Sequence, residues 1–328
     1  MNQGYPLILI ISPAGETVMT WPGGATVAQL RGFLDEALKP PAKAKADEAL
    51  RHGDALFGAN DLAGAIVAYR EALKLGGSAW PRRDHAVEQL IGALQTKDPH
   101  ECALAAAERA PLLPRQHVFV NVALMGESCA SDEAPAVAAK LEGFAAEALE
   151  LPAASEDDRY MLFEALYAAR AKDKAAAHAL AAKYLAYVES RPAPKNDDQR
   201  LARDLALLRA AVKLGEPARA IPALEATERA IPGDDTPVSW LASAYAAAGR
   251  PDDALAACAR GLAKAPGPAG RARLLMTRAS IWTKKGDGPA AKKDLLAALE
   301  AAKTIPAAPS REMTEGQIKR QLSALGAP

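Results

Sequence analysis

Apolar and small residues recur in the stretch Trp240–Pro266, "WLASAYAAAGRPDDALAACARGLAKAP", at the three-and-four spacing of an amphipathic helix. The pattern breaks once, at Gly249-Arg250-Pro251, and then resumes, which predicts two helices joined by a tight turn. The frame repeats along the chain. "LGEPARAIPALEATERAIP" (Leu214–Pro232), "AGRPDDALAACARGLAKAP" (Ala248–Pro266) and "KGDGPAAKKDLLAALEAAK" (Lys285–Lys303) each set a turn glycine, Gly215, Gly249 or Gly286, five residues before an alanine, Ala220, Ala254 or Ala291. "ANDLAGAIVAYREALKL" (Ala59–Leu75) carries the same frame with Asn60, Ala65, Tyr69 and Ala72. Gly215 to Gly249 is 34 residues and Gly249 to Gly286 is 37.

Each residue type has a mechanical reason. Glycine and asparagine tolerate a left-handed turn. Alanine at the crossing lets two helices approach closely, and Tyr245 or a leucine such as Leu241 fills the space between units. Pro266 stops the second helix. A helix–turn–helix unit of about 34 residues resembles the tetratricopeptide (TPR) repeat, most closely over Val238–Pro266. Looser units are expected at Leu90–Pro114, with Cys102 at the crossing, at His117–Pro152, and at Asp157–Glu189, with Lys172 in the turn and Ala177 at the crossing. The expected fold is therefore mainly α, a TPR-type α-solenoid of about seven helix pairs, with Pro309–Leu325 as a polar helix over the open end. "SRPAPKNDDQR" (Ser190–Arg200) reads as a loop in that array.

The first forty residues follow a different period. "YPLILIISPAGETVMTW" (Tyr5–Trp21) predicts a β-hairpin turning at Pro13-Ala14-Gly15, and Ala25–Leu38 predicts an amphipathic helix with Val27, Leu30, Phe33, Leu34 and Leu38 on one face. A hairpin and one helix cannot hold a core alone, so they must lean on a neighbour. The order Tyr-Pro, strand, turn, strand, helix resembles the C-terminal half of a thioredoxin fold over residues 4–38, with Pro6 at the place of that family's cis-proline. The resemblance implies a thiol–disulfide site upstream, but no CxxC pair occurs in the 328 residues, so the activity is not carried over. Three segments follow: 1–40 as this partial thioredoxin-like piece, 41–190 as N-terminal helix pairs, and 196–328 as C-terminal TPR units with their cap.

Composition narrows the function. Half of the residues are apolar but only 5% are aromatic, and alanine makes up much of the difference. Forty basic and forty acidic residues balance, so nothing global recruits nucleic acid or an anionic membrane. No stretch approaches the roughly 20 apolar residues that span a bilayer, and the start lacks a basic n-region and a small-residue cleavage site. The expected location is cytoplasmic as the sequence stands, and periplasmic if the natural start lies further upstream. Cys102, Cys129 and Cys258 are odd in number and far apart, which argues against a disulfide framework or a zinc site and for buried, inert thiols.

Catalytic motifs are lacking. The sequence has no GxxxxGK[ST], no GxSxG and no HExxH, and "GPAGRAR" (Gly267–Arg273) follows a helix rather than a strand. His100 and Cys102 stand two apart at a helix start and point in different directions. The acidic runs at Ser155–Arg159, Asn196–Arg200 and Gly233–Pro237 read as helix caps. The chain is accordingly expected to be non-enzymatic and to need no cofactor or metal.

In a TPR array the first helices line an inner face, where peptides or partner helices lie. The common frame places Arg159, Arg170, Arg209, Lys213, Ser239, Ser243, Arg273 and Lys284 there, after an acidic front of Asp47, Asp54, Asp84 and Glu127. The basic part suits a protein or peptide partner that is acidic, because arginine binds carboxylates through two hydrogen bonds. The Lys/Asn set of chaperone-tail TPRs does not appear; Leu205 and Met276 stand at two of its positions.

Overall fold

The computed structural model describes residues 7–11, 17–22, 30–31, 34–35, 44–130, 134–264 and 267–326. The chain forms two compact units, Met1–Lys172 and Asp173–Pro328.

The first unit opens with β1 (Leu7–Ile11) and β2 (Thr17–Pro22), paired antiparallel with Leu7 opposite Pro22 and Ile10 opposite Met19. The hairpin leans on the first long helix, as a two-stranded sheet must. Its turn, Pro6, and most of the expected helix Ala25–Leu38 lie outside the described residues; Leu30, Arg31, Leu34 and Asp35 are helical. Seven helices follow: α1 (Ala44–Gly58), α2 (Leu62–Gly76), α3 (Arg83–Lys97), α4 (Pro99–Arg109), α5 (His117–Cys129), α6 (Pro135–Glu150) and α7 (Glu156–Ala169). The second unit holds α8 (Lys174–Ser190), α9 (Asp197–Leu214), α10 (Ile221–Ala230), α11 (Thr236–Ala247), α12 (Pro251–Ala263), α13 (Pro268–Lys284), α14 (Gly288–Lys303) and α15 (Ala308–Gly326).

The pairs are α1/α2, α3/α4 and α5/α6 in the first unit, and α9/α10, α11/α12 and α13/α14 in the second. The expected fourth pair, α7 and α8, has one helix in each unit. The segment after Ser190 connects α8 to α9, which pack on each other inside the second unit. Pro217 and Pro222 fall within six residues of each other, so α10 is entered through a 3-10 turn, Pro217–Ala220.

The turns share one geometry. Asn60, Gly215, Gly249 and Gly286 have φ of 63°, 84°, 72° and 80°. The residue after each donates its N–H five residues back: Asp61 to Leu56, Glu216 to Ala211, Arg250 to Tyr245 and Asp287 to Trp282, all at 2.8–2.9 Å. That bond satisfies a carbonyl the helix end would orphan, and it requires a left-handed residue just before the donor. The crossing alanines Ala65, Ala220, Ala254 and Ala291 are fully buried. Around the last pair the seam is alanine-rich: Ala272, Leu275 and Ala279 of α13 meet Ala291, Leu295, Ala298 and Ala302 of α14, and Ile318 of α15 closes it.

Caps start several helices. Ser155 and Asp158 form a reciprocal capping box on α7, and the Asn196 side chain accepts from the Gln199 N–H. Before α11 the task shifts by one residue: Asp234 accepts from the Thr236 N–H at 2.7 Å, leaving Asp235 for another partner.

Two sequence expectations are corrected. Cys102 and Cys129 are not separate thiols; they are joined in a disulfide across α4 and α5. Asp47 and Asp54 are not groove acids. Both are buried, Asp47 accepting from Trp80 Nε1 and Asp54 from the Tyr69 hydroxyl, each at 3.0 Å. A lone buried carboxylate is costly, and these donors offset much of that cost. The frame could not reveal this, because the partners Tyr69 and Trp80 sit 15 and 33 residues away.

Candidate functional site

In the second unit, one face each of α11, α13 and α15 encloses a groove of about 610 Å³. From α11 come Ser243, Ala246 and Ala247, and from α13 Arg273, Met276, Thr277, Ser280, Ile281 and Lys284. The wall on α15 is Ser310, Met313, Thr314, Gln317 and Gln321, which recur at three- and four-residue steps as one helical face requires. Small side chains at Ser243, Ala246, Ala247 and Ser280 keep the groove open, while Met313, 63% exposed, stands over it. Among the described residues its lining holds two cations and no carboxylate.

Three of the expected site residues meet here: Ser243, Arg273 and Lys284. Arg273 is fixed from below. Its guanidinium donates to Asp235 at 2.6 Å and to the Ser239 hydroxyl at 3.1 Å, the freed Asp235 being the partner displaced from capping. Ser239 is buried and serves as this support rather than as a lining residue. The Ser243 hydroxyl donates to the Ser239 carbonyl at 3.1 Å. Lys284 is exposed in the last turn of α13, where a cation also suits the helix dipole.

The others are placed elsewhere. Arg209 and Lys213 lie on α9, which packs on α11, and they do not line the groove. Arg159 and Arg170 belong to the first unit. Arg159 donates to the Ala154 and Leu151 carbonyls at 3.1 and 2.6 Å, tying the α6–α7 connection, and Arg170 pairs with Glu142 at 2.7 Å. Both guanidiniums are engaged in structure.

The α15 wall does not follow from the repeat frame. The polar face of Pro309–Leu325 reads as solvent-facing, and only its Ser/Thr/Gln spacing hints at a lining role.

In the first unit, two buried carboxyl groups are raised to a pKa of about 7. Burial is the main cause for Glu88, reinforced by Asp158 and opposed by His85 and by the hydrogen bond from Asn121. Burial again leads for Glu127, with Glu142 adding to it and Arg170 opposing. Raised carboxyls in clefts mark reactive groups. Here the pair lies within helix packing, and among the described residues no set of three or more His, Cys, Asp or Glu is placed to hold a metal. Burial also pushes the Cys258 thiol up to about 11, which makes it a poor nucleophile.

Comparison with known proteins meets this geometry in the second unit. Residues 211–279, from the end of α9 through most of α13, match the family model of the tetratricopeptide repeat. That stretch is similar to TPR units. A solved tetratricopeptide repeat protein from Parabacteroides merdae is 13% identical, and the match covers 87% of this chain and all of that one with a TM-score of 0.53. At that identity the likeness concerns the TPR fold alone. The TPR2AB domain–pHSP90 complex of yeast Sti1 (14% identity, 87% and 99% covered) and the MamA protein (19% identity, 67% and 91% covered) overlay less well, each with a TM-score of 0.34. No curated protein matches the sequence. The TPR solenoid with its small N-terminal hairpin is the expected fold class. Among the described residues no helix is long and apolar enough to cross a membrane.

Proposed function

We propose that the chain is a non-catalytic protein-interaction scaffold that holds an acidic peptide segment of a partner protein in the groove between α11, α13 and α15. The carrying observation is a built groove whose charged lining, among the described residues, is basic. Met276, Ile281 and Met313 offer apolar contact, Ser, Thr and Gln side chains can bond a peptide backbone, and Arg273 and Lys284 attract carboxylates. Arg273 is pre-oriented by Asp235 but also partly neutralised by it. Lys284 therefore supplies most of the charge selection. Arg209, exposed on α9 beside α11, offers a further cation for a longer segment. The reading calls on no cofactor, and a chain without net charge has no global attraction for nucleic acid or an anionic bilayer.

Fluorescence anisotropy with labelled acidic and basic decapeptides of matched apolar content tests the reading. Acidic peptides are expected to bind, and Lys284→Glu to weaken them about tenfold or more, the cost of turning an attraction into a repulsion. Lys292→Glu, on the exposed side of α14, should leave binding unchanged. Equal binding of basic and acidic peptides would remove the proposal.

A second reading makes the chain the C-terminal part of a thioredoxin–TPR fusion that positions a redox domain on its client. The β1–β2 hairpin followed by helical residues at 30–31 and 34–35 favours it. An in-frame CxxC in the genomic sequence directly upstream would promote this reading, and its absence would end it.

A further inference from the structure

We propose that the Cys102–Cys129 disulfide is a permanent covalent tie between the second and third helix pairs, closed outside the reducing cytoplasm. The two residues belong to different pairs, Cys102 in the first turn of α4 and Cys129 at the last position of α5, 27 residues apart in sequence. Their Cα atoms stand 6.0 Å apart, within the range a disulfide needs without backbone movement.

The helices are built to meet there. Ala106 lies one turn beyond Cys102, and Gly126 one turn before Cys129. A Cβ on Gly126 would stand 2.8 Å from the Ala106 Cβ and 2.8 Å from Leu141 Cδ2, so only glycine lets α5 come this close to α4. The contact that brings the sulfurs together is thus written into two rows of small residues, Cys102 with Ala106 and Gly126 with Cys129.

Burial argues for permanence. Cys102 is fully buried and Cys129 is 4% exposed, so an attacking thiolate cannot reach either sulfur while the helices are packed. The third cysteine is no competitor. Cys258 is buried in the other compact unit, on α12.

A solenoid unit contacts only its neighbours, so a covalent link between successive pairs couples two steps of the stack that could otherwise part. Closure is an exchange. One cysteine thiolate attacks the disulfide of a protein oxidant, forming a mixed disulfide and releasing one donor thiolate. The second cysteine thiolate then displaces the other. The chain's two thiols lose two electrons and two protons, and the donor disulfide gains the electrons as a dithiol. Such donors work in secretory and periplasmic compartments, whereas cytosolic thiols are kept reduced. The tie does not depend on what occupies the groove.

The test uses the full chain produced twice, once exported to the periplasm of a bacterial host and once in its reducing cytoplasm, with maleimide counting of thiols in denaturant. Exported chain is expected to show one reactive thiol without reductant, Cys258, and three with it. A non-reducing digest should give one peptide linking Cys102 to Cys129. The cytoplasmic chain should show three thiols throughout. Three thiols in the exported chain, or a bridge using Cys258, would overturn the tie, and a bridge already closed in cytoplasmic chain would overturn its compartment. Finally, native exported chain held in reduced glutathione should keep the bridge until it is unfolded. Reduction of the folded chain would show a switch instead and overturn permanence.

Discussion

Replacing Ala254 with leucine is expected to destabilise the second unit by about 2 kcal/mol, within the usual 1–3 kcal/mol cost of overpacking a filled core. Ala254 is fully buried at the crossing of α11 and α12, and the larger leucine side chain has no space to enter. The neighbours cannot yield cheaply. Tyr245, on the facing helix α11, is held by its hydroxyl bond to Glu225 at 2.6 Å and by Arg250, 4.5 Å over its ring. Ala256 lies two residues along the same helix on the exposed side, so Ala256→Leu should change stability by no more than about 0.5 kcal/mol. Urea denaturation of both variants separates seam from surface. Equal, small losses would mean that the crossing is loosely packed and that the repeat frame is not what fixes the helix spacing.

The second large effect is electrostatic and belongs to the first unit. Glu88 titrates near 7 in the folded chain and near 4.5 when exposed, because burial penalises its charge. Between those values the folded state holds a proton that the unfolded state has lost. Stability therefore falls as pH rises from about 4.5 to 7 and is level above that. The full penalty is about 3 kcal/mol, since each tenfold change in proton affinity is worth about 1.4 kcal/mol. Glu88→Gln keeps the oxygen that accepts from Asn121 and removes the charge. The variant should be more stable than the parent by up to about 3 kcal/mol at pH 8 and indistinguishable from it at about pH 4. Glu127 adds a second drop over the same window, so the variant keeps part of the parent's pH dependence. Denaturant midpoints at the two pH values decide the matter. A gain in acid as large as that in base would show that packing, not ionisation, was altered.

Much of this architecture can be read from residue spacing. Gly215, Gly249, Gly286 and Asn60 announce left-handed turns, and the alanines five residues later announce crossings, because both demands are local and few residue types meet them. The features that spacing misses are long-range. Asp47 and Asp54 sit where groove acids would, but their fate depends on Trp80 and Tyr69, aromatic donors supplied from further along the chain. The cysteines carry no pairing signal in their spacing, since their approach depends on Gly126 lying against Ala106. Of the cations placed on the inner face, Arg273 and Lys284 reach the groove, while Arg159 and Arg170 are taken up by carbonyls and Glu142 nearby. A frame assigns faces, but not which charges the fold consumes. The polar spacing of α15 is visible in the sequence, but α11 and α13 together give that face a groove to line.

The most direct test of the scaffold is amide hydrogen exchange of the full chain with and without the tightest acidic decapeptide. Protection on binding should concentrate in α11, α13 and α15 and disappear in Lys284→Glu. Protection confined to the first unit, or to the outward helices α12 and α14, would contradict the groove as the working surface.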